Sequence, residues 1–255
     1  MRVAVLCSPC LTTNILLSYL TGWEDSELIV LREASLPSSS LIKHRLRKLG
    51  LVTVIGQVAF KIIVPRLQAR RTRRRTAELL QAAEASEALP DGLAIVDVET
   101  INSSGVKRRL QKFAPDVVLV NGTRIIRKKV LSAVDVPFIN IHAGITPQYR
   151  GVHGGYWALY CNDAHNFGST IHIVDPGVDT GDVLAHVRTK PGPEDNFSTY
   201  PLVQFLAALP QLKAILSEQS KMTMGPIGNP LETTSRQWYH PTLLQYFLGY
   251  WRGVK

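Results

Sequence analysis

Short apolar runs recur along this chain, each too short for a helix and most of them followed by a stretch that reads as one. Arg2–Leu6, Glu27–Leu31, Ala94–Val98, Val117–Val120, Val136–Ile141 and Ser169–Val174 have the length and side chains of buried strands. Helical patterns fall between them at Asn14–Leu20, Leu49–Leu67, Glu78–Ala88, Ser103–Phe113 and Arg127–Val134. Strands apolar on both sides must be covered on both faces. The expected fold is therefore α/β: a Rossmann-like, mostly parallel sheet with helices on both faces. No GxGxxG follows the first strand, so dinucleotide binding has no support.

Two places in this pattern carry polar groups that a core does not need. Asn140 and His142 stand two apart at the end of an apolar run, and side chains two apart on a strand share a face. Gly144 and Pro147 stop that strand, so the pair emerges at its carboxyl end, where open α/β sheets bind ligands. Further on, Ser169–Val174 leads into the acidic, glycine-rich turn Asp175-Pro-Gly-Val-Asp-Thr-Gly-Asp182. If the two strands are neighbours, a carboxylate of this turn meets the His. An Asn can donate to a developing oxyanion. A His can carry a proton or, protonated, donate as well. A nearby Asp orients the ring and raises its pKa. Such a set suits acyl transfer to an amine without a covalent enzyme intermediate.

Asn140-x-His142, Pro147-x-Tyr149-Arg150-Gly151 and Asp179-Thr180-Gly181, in that order, resemble the formyltransferases that use 10-formyltetrahydrofolate. That family includes glycinamide ribonucleotide, methionyl-tRNA and sugar N-formyltransferases. The resemblance implies catalytic roles for Asn140, His142 and Asp179. It also implies folate contacts at Thr180 and Gly181. Upstream, residues 118–126 resemble the segment that holds the pterin, which implies folate contacts at Arg124, Ile125 and Ile126. The loop Ser8–Asn14 lacks the glycines with which the ribonucleotide branch approaches its substrate phosphate. The tail, with helical patterns at Ser198–Glu218 and from Thr242 to Trp251 around a loop at Gly225–Pro230, does not resemble the barrel of the tRNA branch. The implied acceptor is a small-molecule amine, most simply an amino sugar linked to a nucleotide, with glycinamide ribonucleotide as the runner-up. Residues 1–190 are expected to form the catalytic domain and 191–255 a helical C-terminal extension.

The remaining features narrow the reading. Among 255 residues the net charge is +9, which favours anionic partners. No signal peptide pattern precedes the first strand, and Leu49–Val64 reads as too short and too polar to span a bilayer, so a cytoplasmic protein is expected. Arginines at 66, 70, 71, 73, 74 and 75 form a run that is ordinarily a solvated helix face. Its sharper readings are phosphate, nucleic acid or, beside the apolar segment, an anionic membrane. No aromatic side chain lies within the run, so nucleic acid is not expected. Cys7 and Cys10 form a CxxC before a helix, the basis of a competing redox reading. No second Cys/His pair has ligand spacing, so no metal is expected. His153 and His165 read as loop residues, His172 as a core histidine. A homodimer is compatible with all of this, and so is a catalytically idle module that binds anions or membranes.

Overall fold

The computed structural model describes residues 1–23, 26–34, 45–219 and 234–255. Its centre is a seven-stranded sheet. In chain order the strands are β1 (Arg2–Cys7), β2 (Glu27–Glu33), β3 (Ile95–Val98), β4 (Val117–Asn121), β5 (Phe138–His142), β7 (Gly168–Ile173) and β8 (Val183–Arg188). They lie in the order β3-β2-β1-β4-β5-β7-β8. The first five are parallel; β7 runs antiparallel to β5 and β8 antiparallel to β7. The strand order reverses between β1 and β4. In a doubly wound sheet that reversal opens a crevice at the carboxyl ends of the strands. The last strand, β8, had no counterpart in the sequence reading.

Helices cover both faces, as the apolar strands require. One face packs α1 (Leu11–Thr21) and α6 (Tyr200–Gln219) against Val3, Val5, Leu119 and Ile139. The other packs α3 (Ser104–Phe113) and α4 (Lys128–Leu131) against Ala4, Leu6, Val118 and Phe138. Ser103 caps α3 by accepting the Val106 N–H. A third cluster is aromatic and lies beside the sheet. In it Phe60, Tyr156, Phe197, Trp238 and Tyr246 join α2 (Leu51–Ala82), α5 (Gly154–Tyr160) and α7 (Leu243–Trp251). Thr242 and Gln245 cap α7 reciprocally.

Two expectations need correcting here. The helices expected at Leu49–Leu67 and Glu78–Ala88 are one helix, α2, which contains Pro65 and the whole arginine run and stops at Ala82. Proline costs a helix the bond to the carbonyl four residues back. Here that carbonyl belongs to Lys61, and Lys61 and Pro65 are both exposed, so water can take the bond. The neighbouring Ile62 carbonyl accepts the Arg66 guanidinium at 2.6 Å. The second correction follows from the first: within this longer helix an 18-residue window is apolar and long enough to cross a membrane, and only 22% of it is buried. In the tail, Gln237–Trp238 forms a short strand, β9, parallel to β6 (Arg150–Gly151). The loop expected at Gly225–Pro230, and most of residues 36–48, whose sequence reads as irregular and then helical, fall outside the described residues; residues 45–49 are helical.

Candidate active site

The pairing of β5 with β7 builds the polar cluster. Antiparallel register sets Asn140 opposite His172 and His142 opposite Thr170, so all four side chains share one face of the sheet. A bulge between Ile171 and His172 breaks the β7–β8 ladder at the same point. Beyond β7 the acidic turn brings Asp179 back over the pair. Asp179 takes a left-handed backbone, φ 51°, which a short polar side chain tolerates better than most. Its Oδ2 accepts the Gly151 N–H at 2.8 Å and lies 3.5 Å from His142 Nδ1, while Oδ1 lies 3.7 Å from His172 Nε2. Gly151 itself, at φ 96°, passes so close to the Trp238 carbonyl that any side chain would collide with it.

Carbonyl partners fix the tautomers. His142 Nε2 lies 2.8 Å from the Tyr149 carbonyl, which can only accept, so Nε2 carries a proton. Nδ1 then faces the Asp179 carboxylate. His172 Nδ1 donates to the Ile173 carbonyl at 2.8 Å, which leaves Nε2, in the neutral ring, to accept from the Asn140 amide at 3.2 Å. His172 thus turns the Asn140 NH₂ group toward itself and holds it. His172 is buried and hydrogen-bonded, as a core histidine should be, and its partner is a candidate site residue, which the sequence does not show.

Asp179 raises the His142 pKa, as expected, but it does not set the net direction. Burial drives His142 below its ordinary value, and Asp179 and the Tyr149 carbonyl only partly offset it. For Asp179, burial raises the pKa, but the His142 and His172 rings and the Gly151 N–H outweigh it and bring the carboxyl down to about 2. At neutral pH the pair is a neutral imidazole beside a carboxylate.

The cluster opens into a cleft of about 430 Å³ at the carboxyl ends of β4 and β5. Residues 120–126 form one wall, Asn140, His142, His172 and Asp179 the floor, and Val174, Asp175, Gly177 and Val178 another wall. Arg124, Ile125 and Ile126 all line it, each differently. Arg124 turns its guanidinium onto buried Glu33, with Nε 2.6 Å from the carboxylate, so it tethers the wall rather than reaching into the cleft. Ile126 is buried in the core, and Ile125 is 58% exposed. Thr180 and Gly181 do not line the cleft. The Thr180 hydroxyl bonds Asp175, and Gly181 backs onto the Ile173 carbonyl; both shape the turn that aims Asp179.

Other candidates fall away from this cluster. His153 lies tilted against Phe197, ring centroids 4.2 Å apart, and shares a hydrogen bond of 2.8 Å with His240, away from the cleft. His165 is exposed in a short 3₁₀ turn. Cys7 is buried, which pushes its thiol up to about 12, and Cys10 is a free thiol at the start of α1; this disfavours thiol exchange. Among the described residues no group of three or more His, Cys, Asp or Glu could hold a metal ion.

A family model described as formyl transferase matches residues 54–201, more than half of the chain. A methionyl-tRNA formyltransferase from Finegoldia magna is 35% identical over 100 residues, covering 39% of this chain and 32% of that protein. The curated relatives it matches are thus spanned for about a third to a half of their length. A sugar N-formyltransferase from Shewanella sp. superposes with a TM-score of 0.54 at 12% identity, covering 98% of this chain and 86% of that one. A phosphoribosylglycinamide formyltransferase from Anaplasma phagocytophilum gives 0.55 at 17% identity, covering 89% and 92%. At such identities the likeness is one of fold.

Proposed function

The chain belongs to the formyl transferase family, and from that premise we propose that it transfers a formyl group from 10-formyltetrahydrofolate to a primary amine, on an amino sugar linked to a nucleotide. The observation that carries this reading is the convergence of Asn140, His142, His172 and Asp179 on the floor of one cleft whose wall is residues 120–126.

The residues suit the donor. Ile125, exposed, and Val120 give the cleft an apolar wall, which fits a pterin. The donor supplies the formyl carbon when bound. The chain's own groups do the rest. As the acceptor amine attacks, the Asn140 amide donates to the oxygen that gains charge. His142, neutral at physiological pH, takes the amine proton, and the Asp179 carboxylate stabilises the imidazolium that results. The new C–N bond forms, the bond to the donor nitrogen breaks, and the proton passes to that nitrogen. His172 acts through Asn140, as a positioning residue.

For the acceptor, the loop after β1 lends support. Thr12 lines the cleft, and the Thr12 and Thr13 hydroxyls both bond the Asn121 amide. The N–H groups of Thr13 and Asn14 are already bonded to the Cys10 carbonyl. That is a neutral, hydroxyl-bearing wall, suited to a sugar more than to a phosphate. Residues 1–190 would carry the chemistry; the extension, 191–255, adds Pro201 and Phe205 to the cleft. Methionyl-tRNA is the second reading, favoured by the names of the curated relatives matched in sequence.

The test is incubation with 10-formyltetrahydrofolate and nucleotide-linked amino sugars, glycinamide ribonucleotide or methionyl-tRNA, read by mass spectrometry. A formyl adduct on an amino sugar is expected. Asp179→Asn should reduce its rate by a factor on the order of 10². Turnover of methionyl-tRNA or glycinamide ribonucleotide alone would replace the acceptor and keep the chemistry. Full activity in Asp179→Asn would remove the carboxylate from the mechanism.

A further inference from the structure

Helix α2 is apolar where a helix on the outside of a protein ordinarily is not. Its inward side packs Val54, Phe60 and Val64 into the aromatic cluster. Its outward side carries Leu51, Ile55, Val58 and Ile62, spaced by three and four residues and therefore in one line. Val52, at 86% exposure, and Ile63 widen that stripe. The same line continues past Pro65 as Arg66, Ala69, Arg70 and Arg73. One outward face thus changes from aliphatic to basic halfway along.

The arginine run divides by direction. Arg71 and Arg75 turn inward to Glu194 and buried Asp195, and Arg74 pairs with Glu78 along the helix. Among the described residues Arg70 and Arg73 have no acidic partner. The inward pair is structural; the outward arginines are left for something else.

Helix α7 lies alongside. Gly56 admits its first turn, since a side chain there would press on Thr242 at 2.9 Å, and Gln68 donates to the Tyr246 hydroxyl at 2.6 Å. It adds exposed Leu244, Phe247 and Trp251, the last 81% exposed, with Tyr250 next to it. Aromatic side chains with one polar edge favour the boundary between hydrocarbon and water.

We propose that the outward faces of α2 and α7 dock on an anionic lipid bilayer, the aliphatic half entering the acyl boundary and Arg66, Arg70 and Arg73 meeting lipid phosphates. This face lies on the surface rather than spanning. The inward side of the helix is already packed on protein and cannot face lipid. Charge decides the occupant. A second copy of a chain of net charge +9 offers these arginines mainly more positive charge, whereas an anionic leaflet neutralises them and also accepts the aliphatic side chains.

The test is flotation of the full chain with vesicles of phosphatidylcholine, alone or mixed with phosphatidylglycerol. Binding is expected to the mixed vesicles, to weaken at high salt, and to fall at least about tenfold in Ile55→Ser/Ile62→Ser and in Arg70→Gln/Arg73→Gln. Formylation of a soluble acceptor should be unchanged in both. Circular dichroism establishes that each variant is folded; the arginine pair, being exposed, serves if the isoleucine pair is not. No binding to the mixed vesicles, or equal binding to both kinds, overturns the proposal. So does a wild-type dimer in gel filtration that Ile55→Ser/Ile62→Ser converts to monomer, because the face would then belong to a second copy.

Discussion

Two regions of this molecule invert the usual distribution of polar and apolar groups, in opposite senses. At the end of β5 and β7, polar and ionisable side chains are buried or half-buried, and each holds a partner: Asn140 on His172, His142 on Tyr149, Asp179 on Gly151. On α2 and α7, aliphatic and aromatic side chains stand in water. The first region spends desolvation to pre-set an electrostatic arrangement. The second leaves apolar surface whose burial awaits something outside the fold. A buried polar group and an exposed apolar patch are the informative exceptions to ordinary packing. The comparison teaches that they answer to different measurements: the cluster to chemistry, the arm to association.

The largest effect should come from the side of α2 that faces the protein. Phe60 is fully buried, edge-on to Phe197 at 4.6 Å and near Tyr246 at 5.6 Å. Phe60→Ala should cost about 3–5 kcal/mol of unfolding free energy by urea titration. A loss under about 1 kcal/mol would mean that the helix is not seated as described.

Next comes the cluster, where an equal energy should appear in rate and not in stability. Asn140→Ala should lose about 2.7–4 kcal/mol of transition-state stabilisation, read as kcat/KM, the usual effect of one lost oxyanion donor. Turnover within threefold of the parent would assign the oxyanion to another group.

Acid should separate the regions again. Burial holds His142, His153 and His240 below the ordinary imidazole value. The unfolded chain then takes up protons before the folded one does. Their stabilisation is whole above about 6.5 and is lost as pH falls. His240, brought to about 4, accounts for a loss on the order of 3 kcal/mol by about pH 4. Asp179, held near 2, has the same sign in a lower window, its share disappearing between 3.8 and about 2. Catalysis should fall on the same side, since His142 must be unprotonated to accept a proton. The urea midpoint should drop between about pH 7.5 and about pH 5, less so in His240→Gln; a flat profile would contradict the buried neutral rings.

How much of this was legible in the sequence varied with range. The parallel sheet and the face shared by Asn140 and His142 follow from local periods of two and 3.6. The role of His172 depends on β7 running antiparallel to β5, a pairing across more than thirty residues that no local period encodes. The short strand β9 exists because Gln237 and Trp238 meet Arg150 and Gly151, again at long range. That α2 runs unbroken through Pro65 was not legible, because the cost of proline depends on whether the freed carbonyl is buried, which a sequence does not state. Thr180 and Gly181 were placed by resemblance alone, and resemblance marks the turn without saying which of its side chains faces the cleft.

The smallest expected effect tests the arm most directly. Ile62 lies two residues from Phe60 on α2 and is of similar apolar character, but it points outward and is 49% exposed. Ile62→Ser removes an aliphatic side chain from water and leaves no cavity, so the transfer and cavity losses that apply to Phe60 do not arise. Serine and isoleucine are about equally good helix formers. The serine hydroxyl can bond the carbonyl four residues back, Val58, at little cost. The net change in unfolding free energy should lie within about 0.5 kcal/mol of zero. Urea titration of Phe60→Ala and Ile62→Ser side by side, in buffer without lipid, makes the measurement. If Ile62→Ser also cost several kcal/mol, the outward face would already be covered within the chain, and its aliphatic stripe would be core.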